Sequence, residues 1–314
     1  MQKFIIMNAR SFIRFLITLI SLLLINVIVS IANAKIITSV KPIGFIVEEI
    51  ASGVTDTDIL LPDGASPHTY SLKPSDLVKI KSAQLVVWIG EDMEVFMPTV
   101  LKNLDKNKQI ELMKIPQIKA LLQTGEPHEQ GHDVDHDHDH HGEYDEHIWL
   151  SPTIAKIIAQ SIHDKLIEQY PNKKAVIDEN LNEFIVKLAE TEQNIAKKLI
   201  SVQNKGYFVF HDAYGYFESQ FGLNNLGSFT INPAVQPGVR KIYAIQQALK
   251  EHQAVCVFSE PQFNPAVIGK LVDGTDVRVG ELNPLGTGIV PSKGSYSHFL
   301  LKLTEQFLDC LNDK

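Results

Sequence analysis

Between Gly125 and His147 the chain reads GEPHEQGHDVDHDHDHHGEYDEH, and this stretch holds seven of the twelve histidines in the sequence. They are His128, His132, His136, His138, His140, His141 and His147. Carboxylates alternate with them: Glu126, Glu129, Asp133, Asp135, Asp137, Asp139, Glu143, Asp145 and Glu146. Neutral imidazole is the commonest protein ligand for zinc, copper and nickel. The stretch has almost no apolar residue before Ile148, so burial cannot offset the entropy of ordering it. It reads as a tether that collects borderline transition-metal cations, the alternative being a solvated acidic loop without a specific role. A tether alone is a weak, many-site buffer, so the defined site it serves must lie elsewhere in the chain.

Two further histidines stand where a fold could aim them. His68 lies in LPDGASPHTYSLKPSD, where Pro62, Gly64 and Pro67 stiffen a loop that is not helical. His211 ends the apolar run YFVFH. With His147, which opens HIWLSP, they make a three-nitrogen set suited to Zn²⁺. Their separations of 79 and 64 residues carry no local motif, so the match is spatial. His163, His252 and His298 read as solvated or core-satisfied. Glu260, at the end of AVCVFSE, is open between lining a cleft and pairing near the base of the loop.

The elements that must position these residues alternate between strand and helix. KIITSV (35–40), AQLVVWIG (83–90) and IELMKI (110–115) read as strands, with helices over 42–52 and 92–104. HIWLSP (147–152) reads as a strand that leads into a helix at Pro152. Residues 171–202 carry Val176, Ile177, Leu181, Phe184, Ile185, Leu188, Ile195 and Leu199 as a helical stripe. Strands then recur at 207–211, 226–231, 254–260 and 276–282, with helices over 239–252 and 265–272. The expectation is an α/β protein of two lobes, each a mostly parallel sheet flanked by helices, joined by one long helix. The lobes are expected over 35–170 and 203–314, with the linking helix over 171–202. In open α/β sheets ligands bind at the carboxyl ends of the strands, which is where a cleft site is expected.

Residues 1–34 read as a cleavable export signal: Lys3, Arg10 and Arg14, an apolar run from Phe15 to Ile31, then Ala32-Asn33-Ala34. The alternative is an uncleaved anchor. The removed part carries three basic and no acidic residues, so the formal charge passes from −8 to −11 on cleavage. That balance suits cations and argues against nucleic acid or anionic lipid. No cysteine near the cleavage point offers a lipid attachment site. Cys256 and Cys310 are the two cysteines, and an even number in an exported chain suggests a disulfide, with two free buried thiols as the alternative. A zinc site on them is disfavoured, since neither has a ligand neighbour at suitable spacing.

LPDGASPHTYSLKPSD, LVVWIGEDMEVFM, HIWLSP, FVFHDAYGYFE, FSEPQF and ELNPLGTGI, in this order, resemble the ZnuA-type zinc-binding proteins of bacterial ABC importers, a branch of the metal-specific solute-binding proteins. The resemblance runs from Lys35 to about Cys310. The acidic histidine-rich insertion is also similar to the zinc branch, whereas manganese and iron branches usually lack one. The resemblance implies that His68, His147 and His211 are the metal ligands and that Cys256 and Cys310 are bridged. Two departures stand out. Some relatives have Glu before the first histidine, and this chain has Pro67. The family's LDPLG carries Asp, and this chain has Asn283, whose neutral amide is a weaker ligand. Water, Asn283 or a visiting tether histidine is left for the fourth position.

The resemblance also implies a protein that captures Zn²⁺ and delivers it to the permease of an ABC importer in the inner membrane; the absence of a lipid-anchor cysteine adds the expectation of a free periplasmic protein, and a monomer is expected. Three imidazoles without a carboxylate favour zinc over manganese, which prefers oxygen. No GxxxxGK[ST] is present, so ATP hydrolysis falls to another chain. Competing readings are a manganese- or iron-binding relative or adhesin, a periplasmic metal buffer without a transporter, and a zinc hydrolase. The hydrolase lacks HExxH or any Glu that a motif places beside the ligands.

Overall fold

Among the described residues two four-stranded sheets pair in parallel throughout, and they share one strand order. The computed structural model describes residues 35–124, 144–230, 238–251, 253–263 and 266–312. The expected export signal, the tether histidines at 128, 132, 136, 138, 140 and 141, and His252 lie outside these residues. In the first sheet, β1 (Ile36–Thr38) is flanked by β2 (Thr57–Ile59) and β3 (Leu85–Trp88), and β4 (Gln109–Glu111) lies outside β3. In the second, β5 (Gly206–His211) is flanked by β6 (Asn224–Thr230) and β7 (Cys256–Ser259), with β8 (Arg278–Glu281) outside β7. The inner strands IIT, LVVW, GYFVFH and CVFS are buried along their whole length, as a sheet covered on both faces requires. Each sheet therefore has its switch point between its first and third strands, β1/β3 and β5/β7, where a crevice opens at the carboxyl ends.

Helices of the first lobe carry a proline at their first or second position, where its fixed φ and missing N–H suit a first turn. These are α1 (Lys41–Ala51), α2 (Pro74–Ser82), α3 (Pro98–Leu101), α4 (Pro116–Lys119) and α5 (Pro152–Gln169). The long helix α6 (Lys174–Leu199) follows, 26 residues and about 39 Å at 1.5 Å per residue. The second lobe adds α7 (Gly215–Phe221), α8 (Val239–Lys250), α9 (Ala266–Val272) and α10 (Ser295–Leu311).

Three local expectations are corrected. Residues 92–104 are helical only over α3, because the Glu94 carboxylate turns back to accept from the N–H groups of Ile89 and Gly90 (2.8 and 3.1 Å), which closes a turn. The run 110–115 keeps strand pairing only to Glu111 and then winds into a 3₁₀ turn. HIWLSP is not a strand: Ile148–Leu150 form a 3₁₀ turn that is fully buried, and Ser151 caps α5 by accepting from Ile154 N–H at 3.2 Å. On α6, Val176 and Ile185 fall off the buried face. Asn180 takes a place on it instead, and its amide donates to the carbonyls of Ile50 and Ser52 where α1 ends.

One apolar core runs through both lobes, from Ile37 and Val86 in the first sheet to Tyr207 and Phe258 in the second. α6 packs on α1, α5 and α10, and α10 also packs on α1 and β8. A second cluster, around Phe208, Phe229 and Leu249, fills the far face of the second sheet. The Cys256–Cys310 disulfide ties α10 to β7, with Cα atoms 6.1 Å apart across 54 residues of chain. Replacing both cysteines by serine is expected to lower the stability of the metal-free protein by about 2–4 kcal/mol in urea unfolding, most of it through the longer reach of the unfolded chain. A loss below about 0.5 kcal/mol would show that the tie adds nothing to the packing of α10.

Candidate metal centre

His68 is placed by a turn. Thr69 N–H bonds to the Ser66 carbonyl at 3.3 Å, with Pro67 and His68 at the turn's corners. Pro67 presets the first corner, so the imidazole leaves a stiff loop. Beyond it the Tyr70 hydroxyl donates to the Asp76 carboxylate at 2.8 Å, and the same carboxylate accepts from Lys73 N–H at the start of α2. This loop follows β2, an edge strand whose short polar run TDI carries no alternation to read in sequence.

His147 stands just before the Ile148–Leu150 turn and is 6% exposed. Asp145 Oδ1 accepts from its backbone N–H at 2.9 Å and lies 2.8 Å from its Nδ1. The carboxylate thereby fixes the ring and leaves Nε2 as the free donor, buried and without a hydrogen-bond partner. Trp149, two residues on, is locked across the lobes: its indole N–H donates to Pro284 O and its carbonyl accepts from the Tyr296 hydroxyl, both at 2.8 Å. His211 ends β5 at the switch point and is 3% exposed, with both ring nitrogens lacking hydrogen-bond partners.

These three side chains converge. One donor atom from each of His68, His147 and His211 lies within 4.8 Å of the others, and among the described residues this is the one such group of metal-ligand side chains. Ring centroids are 5.5 Å apart for His68–His147, 5.1 Å for His68–His211 and 4.7 Å for His147–His211. Nitrogens around tetrahedral zinc stand about 3.3 Å apart, so donors at the outer limit would close by about 1.5 Å. The recess they line has a free volume of about 10 Å³, with Trp149, Phe263, Pro284 and Leu285 as its apolar walls. That is room for about one water-sized body, far below the 300–1,000 Å³ of organic-ligand pockets, and it suits a single ion.

Glu260 follows β7 and lies in the recess wall. Its Oε1 is 3.4 Å from His211 Nδ1 and accepts from the Tyr214 hydroxyl at 3.0 Å. It flanks the imidazoles and does not join the converging donors. Asn283 is not brought to them: its Oδ1 accepts from Thr287 N–H and its amide donates to Thr287 O, both at 3.1 Å. The local turn claims the amide, and the next residues, Pro284 and Leu285, form the wall. His163 is spent between Asp164 and Asp178, at 2.8 and 2.9 Å, and His298 is exposed on α10.

Burial sets the charge of the centre. It pushes the His147 imidazole well below its ordinary 6.5, and His211 acts in the same sense, so His147 stays a neutral donor. Burial lifts Asp145 to about 7, against the bond from His147 N–H. It lifts Glu146 to about 8, helped by Asp92, Glu94 and Asp145, and Glu94 to about 7, against the bonds from Gly90 and Ile89.

These shifts fix a sign. A raised carboxyl keeps a proton in the folded state that the unfolded chain has lost. Its contribution is therefore full below the ordinary values of 3.8 and 4.5 and is lost as pH rises through 7 to 8. The depressed His147 acts below 6.5, where the unfolded chain takes up a proton and stability is lost as pH falls. Above about pH 6.5 the carboxyls decide. The thermal midpoint of the metal-free protein is expected to fall from about pH 6.5 to about 8.5 in scanning calorimetry, and a midpoint that rises over this window would contradict the assignment.

Two parallel-sheet lobes around three converging imidazoles, two of them buried, define a metal-binding protein of the two-lobed, solute-binding type. The chain belongs to the ZnuA family, described as the periplasmic component A of the zinc-uptake complex, whose profile matches residues 36–310. It is 50% identical over 294 residues to the high-affinity zinc uptake system protein ZnuA of Yersinia pestis, covering 90% of this chain and 92% of that one. It is 42% identical to the protein of the same name from Haemophilus influenzae, over 89% and 94% of the two chains. In fold it is similar to the periplasmic zinc-binding protein TroA of Treponema pallidum, with TM-score 0.74 and 18% identity over 90% of this chain and 100% of that one. A ZnuA crystal structure gives TM-score 0.71 at 24% identity, over 88% and 99%.

Proposed function

We propose that the protein captures Zn²⁺ with high affinity in the periplasm and hands it to the permease of an ABC importer, with His68, His147 and His211 as its ligands. The observation that carries this reading is the convergence of three imidazole donors to within 4.8 Å in a recess sized for one ion. Three nitrogens and an open fourth position match zinc, and water completes the tetrahedron. Manganese prefers oxygen donors, and the nearest carboxyl groups, Asp145 and Glu260, stand behind the rings. They supply negative charge around a dication without entering its ligand set, and the ion draws Asp145 back to its ionised form. Burial of His147 also reduces proton competition for that ligand at mildly acidic pH.

The role is transport and not catalysis. Residues 1–34 direct export and are removed, and the mature chain acts as a monomer. The tether between the lobe and His147 raises zinc near the recess through effective concentration. Shared core and cross-lobe bonds favour small adjustments over wide hinge opening.

The test is titration of metal-free mature protein with Zn²⁺ against a competing chelator, with Mn²⁺ as challenger. Wild type is expected to show one tight zinc site that manganese does not displace. His211→Ala should weaken it by more than about 100-fold, beyond the 10–100-fold that outer-shell partners carry. Deleting residues 126–143 should spare the tight site and remove weaker ones. Equal or tighter manganese binding, or a tight site that survives His211→Ala, would overturn the reading.

A further inference from the structure

Tyr216, the second residue of α7, is 3% exposed, and its hydroxyl bonds to two residues of the chain before His147. It donates to the Asp145 carbonyl at 2.8 Å and accepts from Gln123 N–H at 3.2 Å. Those two residues are themselves paired, with Asp145 N–H bonded to Gln123 O at 2.8 Å, and Thr124 faces Tyr144 in an antiparallel bridge. The chain on either side of residues 125–143 thus closes into a two-stranded stem, and one hydroxyl from the second lobe bonds both of its strands. Gly215, beside Tyr216, fits the same stem closely. A Cβ there would lie 3.1 Å from both Asp145 Oδ2 and Gln123 Oε1.

The stem leads directly to His147. Asp145 Oδ1 holds both the backbone N–H and the Nδ1 of His147. In the other direction, Tyr216 lies five residues after His211, through the turn that ends β5 and opens α7. The circuit from His211 through Tyr216 and Asp145 to His147 joins a histidine of each lobe by one short chain segment and a few hydrogen bonds. On its C-terminal side His147 is anchored by Trp149. On its N-terminal side the stem is the anchor, and the Tyr216 hydroxyl ties that stem to the second lobe.

We propose that the Tyr216 hydroxyl, with Gly215 as its close-fitting neighbour, is a positioning group for the metal centre, setting the place of His147 relative to His211 through Asp145. This rests on the reading of His68, His147 and His211 as zinc ligands. Removing the hydroxyl leaves the Asp145 carbonyl and Gln123 N–H without a buried partner and frees the stem to shift, and the Asp145 carboxylate shifts with it. The ion then meets an imidazole less firmly aimed.

The experiment measures Zn²⁺ affinity by competition with chelators of graded strength, on the mature protein with its histidine-rich segment intact. Tyr216→Phe keeps the ring and its packing. Gly215→Ala keeps the hydroxyl and presses a methyl group on the stem. Each is made in wild type, in His68→Ala and in His147→Ala. The expected result is a loss of about tenfold for each in wild type and in His68→Ala, the scale of two ordinary hydrogen bonds. No further loss is expected in His147→Ala, because the group acts through that ligand. An equal loss in His147→Ala would show a general loosening of the fold and overturn the proposal, as would unchanged affinity in wild type. If His147→Ala itself binds zinc as tightly as wild type, the ligand reading fails and the positioning role falls with it.

Discussion

Holding three imidazoles within 4.8 Å of one another, with two of them almost wholly buried, is the constraint on which the rest of the molecule depends. His147 Nε2 and both ring nitrogens of His211 are taken from water without a hydrogen-bond partner in return, a cost that a bound ion would offset. Strain of this kind persists only where surrounding structure over-determines it. The surrounding structure does so with elements of both lobes: the β5 strand end, the buried Ile148–Leu150 turn and the proline-set loop of His68.

Cross-lobe bonds turn two similar sheets into one frame. Trp149 bonds to Pro284 and Tyr296, the Asp63 carboxylate accepts from Gly288 N–H at 3.2 Å, and the Glu49 carboxylate accepts from Gly294 N–H at 2.7 Å. The core continues through α1, α6 and α10 beneath them. Bonds of this kind resist wide hinge opening between the sheets.

Much of this architecture was legible in sequence. The fully apolar inner strands, the prolines that open helices and the long stripe of α6 each carry their own local signal. His68 was legible as an aimed residue because Pro62, Gly64 and Pro67 stiffen the loop around it. His211 was legible from its place at the end of YFVFH. His147 was not placed correctly by periodicity, since three buried apolar residues in a 3₁₀ turn read the same as a short strand. The helix expected over 92–104 failed because no pattern reveals that Glu94 spends its carboxylate on Ile89 and Gly90. Asn180 on the buried face of α6 and the Tyr216 hydroxyl on the stem were illegible for one reason. Their partners lie 130 and 93 residues away in the chain. The pairing of Cys256 with Cys310 is likewise a fact of space, which the even number of cysteines and the family resemblance indicated but spacing could not.

The central claim is that zinc sits on three imidazoles drawn from both lobes. Zinc-edge X-ray absorption of the protein loaded with one equivalent of Zn²⁺ tests it most directly. The account predicts three imidazole nitrogens at about 2.0–2.1 Å and one further light ligand, the shell of a tetrahedral site with one open position. The same spectrum from a variant lacking His68, His147 and His211 should lose that shell. A shell dominated by carboxylate oxygens, or one unchanged in the triple variant, would contradict it.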